Sequence, residues 1–273
     1  MNNKIAYQGT KGSYSEALLI DKFLEYKHDP KDSFSEVIDS INNGKVNFGL
    51  LPIENSIAGT VVDSYEELIA SRIPILSEYM YKITHSLIGL KGAEIGDISE
   101  VQSHPQALQQ CKTYLKQMGY RATPVLDTGG SVHNLKELND KGVAAIAGEH
   151  FEEDKDFVIL KKNISDNKEN YTRFLLIGSE SLEIEAEEYK TSMVLISSDK
   201  PGSLLRGLQE FASLNLNLTK LESRPILGRP WEYKFYIDFR SNKNDPRIEA
   251  LKVNLDNVVE DIQLLGTYPI VKL

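Results

Sequence analysis

Over its first 180 residues the chain alternates short apolar runs with apolar stripes at helical spacing. Residues 4–8 read as a strand, and Gly9-Thr10-Lys11-Gly12 turns the chain into a helix. Ser13 with Glu16 three residues on is a capping box, ahead of an apolar face of Ala17, Ile20, Phe23 and Leu24. Ser33 and Glu36 repeat the device before Val37, Ile38 and Ile41, and Asn42-Asn43-Gly44 stops that helix. Residues 46–51 are mostly apolar, which predicts a strand buried on both faces, as in a parallel sheet. A loop of small and polar residues follows over 52–60, then a helix over about 61–70.

Residues 73–90 are rich in strand formers, with Thr84, His85 and Ser86 set inside them. Strands at 98–102, 123–126 and 143–147 then alternate with helices, the first at 105–118. The chain crosses back through Val158-Ile159-Leu160 and a polar segment to Asn170-Tyr171-Thr172-Arg173-Phe174, at the entrance of another apolar strand. Repeated strand–loop–helix units predict an α/β fold with mainly parallel sheets. Two such blocks, with the last strand returning to the first, predict two lobes and a cleft. Ligands in open α/β sheets bind beyond the carboxyl ends of the strands. Four loops meet that description, at 9–15, 54–60, 103–106 and 127–131. Each leads into a helix N-terminus, whose free N–H groups suit an anion with more than one carboxylate or phosphate.

An acidic stretch at 181–190 reads as a linker. Beyond it come a strand at 192–197, a helix at 203–214, strands at 216–223 and 231–239, a helix and a closing strand at 262–265. The second helix is capped by Asp245 and Pro246 and has Ile248, Leu251, Leu255 and Val258 on its apolar face. The order βαββαβ is ferredoxin-like. No catalytic constellation stands out in this part, which favours a binding or regulatory role.

Length and charge narrow the picture. The 273 residues suit two domains, and a net charge of −9 argues against a nucleic-acid or anionic-membrane partner. An acidic protein that handles an anion must concentrate positive potential locally, from an arginine or from helix starts. The single cysteine, Cys111, excludes an intramolecular disulfide and a thiolate cluster, and its helical setting reads as a buried small hydrophobe. The N-terminus lacks an apolar signal core and no run approaches membrane-spanning length, so a cytoplasmic protein is expected. Phosphate-loop, dinucleotide and nucleophile-elbow motifs are absent, and His28, His85, His104, His133 and His150 show no metal-ligand spacing. The chemistry must rest mainly on hydroxyls and amides, which suits a reaction needing little acid–base help. Thr172 and Arg173 sit where a loop enters a strand, well placed to meet an anion. The plainer reading makes them a β-branched strand residue and a solvated charge.

Four separated motifs resemble the prephenate dehydratase family, over nearly the whole chain. Gly49-Leu50-Leu51-Pro52-Ile53-Glu54-Asn55-Ser56 is similar to its Pro-Ile-Glu-Asn loop, and Ser103-His104-Pro105-Gln106 to its Ser-His-Pro-Gln helix start. Asn170-Tyr171-Thr172-Arg173-Phe174 is similar to its Asn-x-Thr-Arg-Phe signature. Gly202-Ser203-Leu204-Leu205 and Glu222-Ser223-Arg224-Pro225 resemble the phenylalanine-binding motifs of an ACT regulatory domain. The match departs at residues 148–156, which are more acidic than the family's Ala-rich helix, and at Ser203, where Ala is common.

The resemblance implies a two-lobed, periplasmic-binding-protein-like catalytic domain over 1–180, with lobe one at about 1–80 plus 165–180 and lobe two at about 81–164. A ferredoxin-like ACT domain over 191–273 completes the chain. It implies a carbon–oxygen lyase that turns prephenate into phenylpyruvate with loss of water and carbon dioxide, without cofactor or metal, under feedback by phenylalanine. Thr172 would assist the departing hydroxyl, with Asn55, Ser103 and Gln110 as the other catalytic positions. Arg173, Glu54, Ser13 and Phe174 would bind substrate. For Arg173 the alternative is a structural ion pair, and for Glu54 a role orienting Asn55 or capping the next helix. Phenylalanine would bind near Gly202, Ser203, Leu204 and Leu205 and near Glu222, Ser223, Arg224 and Pro225, between paired regulatory units of a homodimer or homotetramer. Arogenate dehydratase is an alternative, and a non-catalytic solute sensor is another.

Overall fold

The computed structural model describes residues 3–180, 182–184 and 186–273, which divide into two compact units. One unit holds residues up to 67, 80–174 and Leu273; the other holds 68–79 and 175–272. Met1 and Asn2 of the N-terminal stretch, and residues 181 and 185 of the expected linker, lie outside the described residues.

The first unit opens with strand β1 (Lys4–Gln8), helix α1 (Tyr14–Lys22), β2 (Lys27–Lys31) and α2 (Phe34–Asn42). Both helices start as expected: the Ser13 and Ser33 hydroxyls accept from the Glu16 and Glu36 amides. Each glutamate then reaches one residue further back than a capping box requires, to the amides of Gly12 and Asp32. The apolar face of α1 differs from expectation. Ala17, Leu18 and Leu19 are buried, whereas Ile20 is 47% and Leu24 75% exposed. Starting the helix at Tyr14 sets its phase, and Ile20 then lies about 200° round the axis from Leu18. Leu24 falls beyond the helix end. Strand β2 is unannounced by its polar sequence Lys27-His28-Asp29-Pro30-Lys31; it lies at the edge of its sheet, where a proline is tolerated.

Next come β3 (Phe48–Asn55), β4 (Gly59–Thr60), α3 (Val62–Ser71) and β5 (Ile75–Lys82). Residues 52–55, expected as loop, are the end of β3, because Glu54 and Asn55 pair with Thr60 and Gly59 in a tight hairpin. A second sheet and its helices follow, with β6 (Ser86–Leu90), β7 (Glu100–Ser103), α4 (Pro105–Gln110), α5 (Lys112–Met118), β8 (Arg121–Pro124), α6 (Thr128–Leu138), β9 (Val143–Ala147) and β10 (Phe157–Lys161). Its strand order is β10-β6-β9-β7-β8. The β7–β8 and β7–β9 pairs are parallel, but β6 runs antiparallel to β9 and β10. The departure from a mainly parallel sheet comes from the strands that bring the chain into and out of this sheet. Alternation along the strands gives this sheet two apolar faces, Leu87, Val101, Ala144 and Ile146 on one, Ile88, Val143, Ala145 and Ala147 on the other.

The helix expected at 105–118 is broken at Cys111. Asp166 causes the break: its amide donates to the Gln110 carbonyl and its carboxylate accepts from the Thr113 amide. Cys111 is fully buried, and burial, followed by the nearby Asp166 carboxylate, pushes its thiol up to about 12. Strand β11 (Tyr171–Gly178) returns to lie beside β3.

The second unit contains β12 (Tyr189–Ile196), α7 (Ser203–Ser213), β13 (Leu218–Ile226), β14 (Arg229–Ser241), α8 (Arg247–Leu255) and β15 (Asp261–Lys272), in βαββαβ order. The β12–β14, β12–β15 and β13–β14 pairs are all antiparallel. Phe211, Ile248, Leu251 and Leu255 pack with Met193, Leu195, Ile237 and Phe239. Among the described residues no helix is long and apolar enough to cross a membrane.

Lys190 donates to both carboxylate oxygens of Glu78 at 2.8 and 2.9 Å, with Glu78 fully buried. Removing the lysine takes the countercharge from a carboxylate in the interior. Lys190→Met is expected to lower the unfolding free energy by about 3–5 kcal/mol. The Glu78→Met/Lys190→Met double variant should recover most of that loss in the same urea titration.

Candidate active site

Asn55 is the last residue of β3, and its side chain is held by its own loop. Its Oδ1 accepts from the amides of Ile57 and Ala58 at 3.0 and 2.9 Å, an Asx turn that folds the hairpin tip back over the strand. The Ser56 hydroxyl accepts from the Tyr171 amide and the Tyr171 carbonyl accepts from the Ser56 amide, so the tip is stitched to the start of β11. With Oδ1 occupied, the Nδ2 group of Asn55 faces β11. There it lies 3.1 Å from Thr172 Oγ1 and 2.7 Å from Asn170 Oδ1.

The Asn170 amide donates in turn to Gln110 Oε1 at 3.1 Å, and His85 Nε2 stands 2.7 Å from the same oxygen. On the other edge of the ring, Nδ1 lies 2.8 Å from the Tyr14 hydroxyl, which also reaches the Thr84 carbonyl at 2.7 Å. Asn55, His85, Asn170 and Thr172 are all buried. Burial lowers the histidine's pKa, with its bond to Gln110 opposing, and burial raises that of Tyr14 well above the usual tyrosine range.

This chain of amides forms part of the wall of a cavity of about 450 Å³. All four loops singled out in the sequence contribute to its lining: Gly9 and Ser13, Asn55 and Thr60, His104 and Gln106, Asp127 and Thr128. Tyr14, His85, Gln110, Thr172 and Phe174 line it as well. Helices α1 and α6 start at the lining, and the first amides of a helix have no partner within it. Their approach is close: a Cβ on Gly129 would come within 2.7 to 2.9 Å of the backbone of residues 11–13. The contact is tied by Thr10 donating to Asp127, and by His133 Nε2 and His150 Nε2 at 3.1 and 2.8 Å from the carbonyls of Lys11 and Gly12.

Three expected site residues lie elsewhere. Arg173 and Glu54 pair with each other at 2.7 Å and do not line the cavity. Strand alternation is the reason: Thr172 and Phe174 face the cavity, so Arg173 between them faces the other side, as Glu54 does beside Asn55. Of the two readings left open for Arg173, the ion pair describes its position. Ser103 is fully buried and donates to the Ile146 carbonyl at 2.7 Å, which fixes the end of β7 against β9. In the second unit Gly202, Ser203, Leu204 and Leu205 line another cavity with Trp231, Tyr233 and Phe235. Glu222, Ser223, Arg224 and Pro225 do not line it, although Ser223 is paired with Phe235 across the sheet. Glu222 binds Lys220 and Arg224 at 2.8 and 2.5 Å.

Sequence reasoning missed Tyr14 and His85. The available signal was the polar triplet Thr84-His85-Ser86 inside an apolar run. Among the described residues no group of three His, Cys, Asp or Glu is arranged to hold a metal ion.

The histidines give the protein a pH dependence. Burial lowers the pKa of His85 and of His150, the latter against the pull of the Gly12 carbonyl. The unfolded chain takes up these protons near 6.5 and the folded chain only at lower pH. Their contribution is thus complete above about 6.5 and is lost as pH falls towards the folded values. Urea midpoints should drop between about pH 7.5 and about pH 5.5, and less steeply in His150→Asn.

A family model described as prephenate dehydratase matches residues 5–182. The prephenate dehydratase of Methanocaldococcus jannaschii is 39% identical over 99% of both chains. Arogenate dehydratase/prephenate dehydratase 2, chloroplastic, of Arabidopsis thaliana is 31% identical over 98% of this chain and 73% of its own length. The crystal structure of prephenate dehydratase from Arthrobacter aurescens in complex with L-Phe is 27% identical and superposes with a TM-score of 0.88, covering 97% of this chain and 89% of that one. The chain belongs to the prephenate dehydratase family.

Proposed function

We propose that this member of the prephenate dehydratase family converts prephenate to phenylpyruvate, a carbon–oxygen lyase reaction. The bond to the ring carboxylate breaks and its electron pair enters the ring. The ring hydroxyl departs, takes one proton and leaves as water, while the carboxylate leaves as carbon dioxide. Aromatisation supplies the driving force, so the protein has only to hold the dianion and help the hydroxyl away.

One observation carries this reading. The Asx turn leaves Asn55 Nδ2 to donate to Thr172 Oγ1, so the threonine oxygen is an acceptor there and its own proton is free to point into the cavity. A hydroxyl so polarised donates to the departing oxygen, acting as general acid or as electrostatic help. Gln110 and the first amides of α1, beyond its cap Ser13, and of α6 receive the carboxylates. Phe174 presents an apolar wall. Ser103 supports the strand that leads into α4, and the Glu54–Arg173 pair couples β3 to β11 on the side away from the cavity.

Arogenate is the second reading. It is favoured by the plant relative's name and by the Asp127 carboxylate on the lining, which would suit the ammonium that arogenate carries in place of a keto group. The non-catalytic sensor reading requires Thr172 to be dispensable.

On this reading residues 1–180 form the catalytic domain and residues 191–273 an ACT regulatory domain that binds phenylalanine. The βαββαβ order, the cavity at Gly202 to Leu205 and the phenylalanine complex of the Arthrobacter protein support the assignment. Leu205, Leu227 and Trp231 are exposed, which suits a pairing of regulatory units in a homodimer or homotetramer.

Phenylpyruvate formation from prephenate tests the reading directly. Thr172→Ala should lower kcat by about 10²- to 10⁴-fold, the range for a positioned proton donor. Thr172→Ser should retain a measurable part. Undiminished turnover by Thr172→Ala would refute the assignment, and turnover of arogenate alone would favour the second reading. Phenylalanine should inhibit the wild type. Gly202→Val should need more phenylalanine, because Gly202 starts α7 at a φ of +78°, where a β-branched residue is strained.

A further inference from the structure

Counting donors and acceptors from the one fixed point, Asn55, determines the orientation of each side chain in the buried chain. Asn55 Oδ1 is taken by two backbone amides, so Nδ2 must face Asn170 and must find its oxygen. Asn170 therefore presents its own Nδ2 to Gln110, and the Gln110 atom it meets must be Oε1. That oxygen is also the atom beside His85 Nε2, so Nε2 must carry a proton and donate. No amide in the series can be turned over without placing two donors or two acceptors face to face.

Gln110 Nε2 is the end left over. It is buried, has no partner among the described residues, and belongs to a residue on the cavity wall. A buried donor without a partner is costly in an empty site and is relieved when a ligand oxygen arrives. Were the histidine absent, Gln110 Oε1 would keep only Asn170, so turning the amide over would set one pair of donors face to face instead of two and the orientation would be held by half as many contacts.

We propose that His85 is a positioning residue for the dehydratase reaction: its Nε2–H holds the Gln110 carboxamide so that the amide N–H groups face an oxyanion of the substrate. Tyr14 completes the arrangement from the other side, its hydroxyl against Nδ1. Phe174, Pro52 and Ala107 shape the apolar remainder of the cavity and offer no donor to replace the histidine. The inference rests on the reading that Gln110 and Thr172 face the substrate.

The test uses the whole 273-residue chain, with the His85 variants made in the wild type and in Gln110→Met. His85→Phe keeps the ring and removes both nitrogens; His85→Gln restores an N–H near the Nε2 position. With prephenate, kcat/KM of His85→Phe is expected to fall about ten- to a hundredfold, the effect of one lost buried hydrogen bond. His85→Gln should recover most of that loss. In a Gln110→Met background, where nothing is left to orient, His85→Phe should cause no further fall. Thermal melting and phenylalanine binding verify that each variant is folded. An active wild type beside an equally active His85→Phe overturns the inference alone, as does a folded His85→Gln no better than His85→Phe. The same fall in the Gln110→Met background assigns His85 a general structural role and also overturns it. A wild type inert towards both prephenate and arogenate overturns the functional reading and this inference with it.

Discussion

The carboxamide of Asn55 is the constraint from which the cavity wall is built. Two backbone amides of its own hairpin tip fix which end is oxygen, at a cost of only three residues of turn. Everything that follows is donor–acceptor arithmetic across three segments far apart in sequence: β3, the segment leading into β11, and the end of α4. The consequence at Thr172 is a hydroxyl whose oxygen accepts from Asn55. At Gln110 it is an amide whose buried N–H groups have no partner among the described residues. Neither orientation is a property of the residue itself. A threonine on a strand or a glutamine at a helix end, placed without the fixed Asn55, would have a rotor free to choose.

How the sheet presents these groups follows from a simpler rule. Successive side chains of a strand face opposite ways, so Thr172 and Phe174 share the cavity with Asn55, while Arg173 and Glu54 meet behind it. The ion pair therefore sits where it couples the two strands without placing a full charge in the cavity. Among the described residues on the lining there is no Lys or Arg. In an acidic protein this leaves helix starts and side-chain amides to meet an anion. Such donors are neutral, so they need no compensating charge when the cavity is empty.

Much of this was legible in the sequence. Four loops placed at strand ends by the alternation of apolar runs do meet at one cavity, because the rule that puts ligands at those ends follows from the sheet's topology and not from any one residue. The capping serines were readable because caps are local. Two things were not. The phase of α1 depends on where the helix starts and stops, which left Ile20 and Leu24 on the wrong side. The break at Cys111 depends on Asp166, fifty-odd positions downstream on the order of loop contacts that no local pattern encodes. For Arg173 the sequence left a carboxylate contact and an ion pair open, and the strand assignment at Thr172, which turns its neighbour the other way, favours the ion pair.

The same chain of amides bears on how the site meets changes in pH. Its members are Asn, Gln, Thr and Tyr, which carry no charge through the physiological range, and one histidine kept neutral by burial. If that ring did gain a proton, Nε2 would still donate to Gln110, and Nδ1–H would donate to the tyrosine oxygen, whose own proton can turn to the Thr84 carbonyl. The orientation of Gln110 is thus the same in both states of the histidine. What protonation changes is the cost of a charge in a buried place, which falls on the stability of the fold and not on the direction in which the donors point.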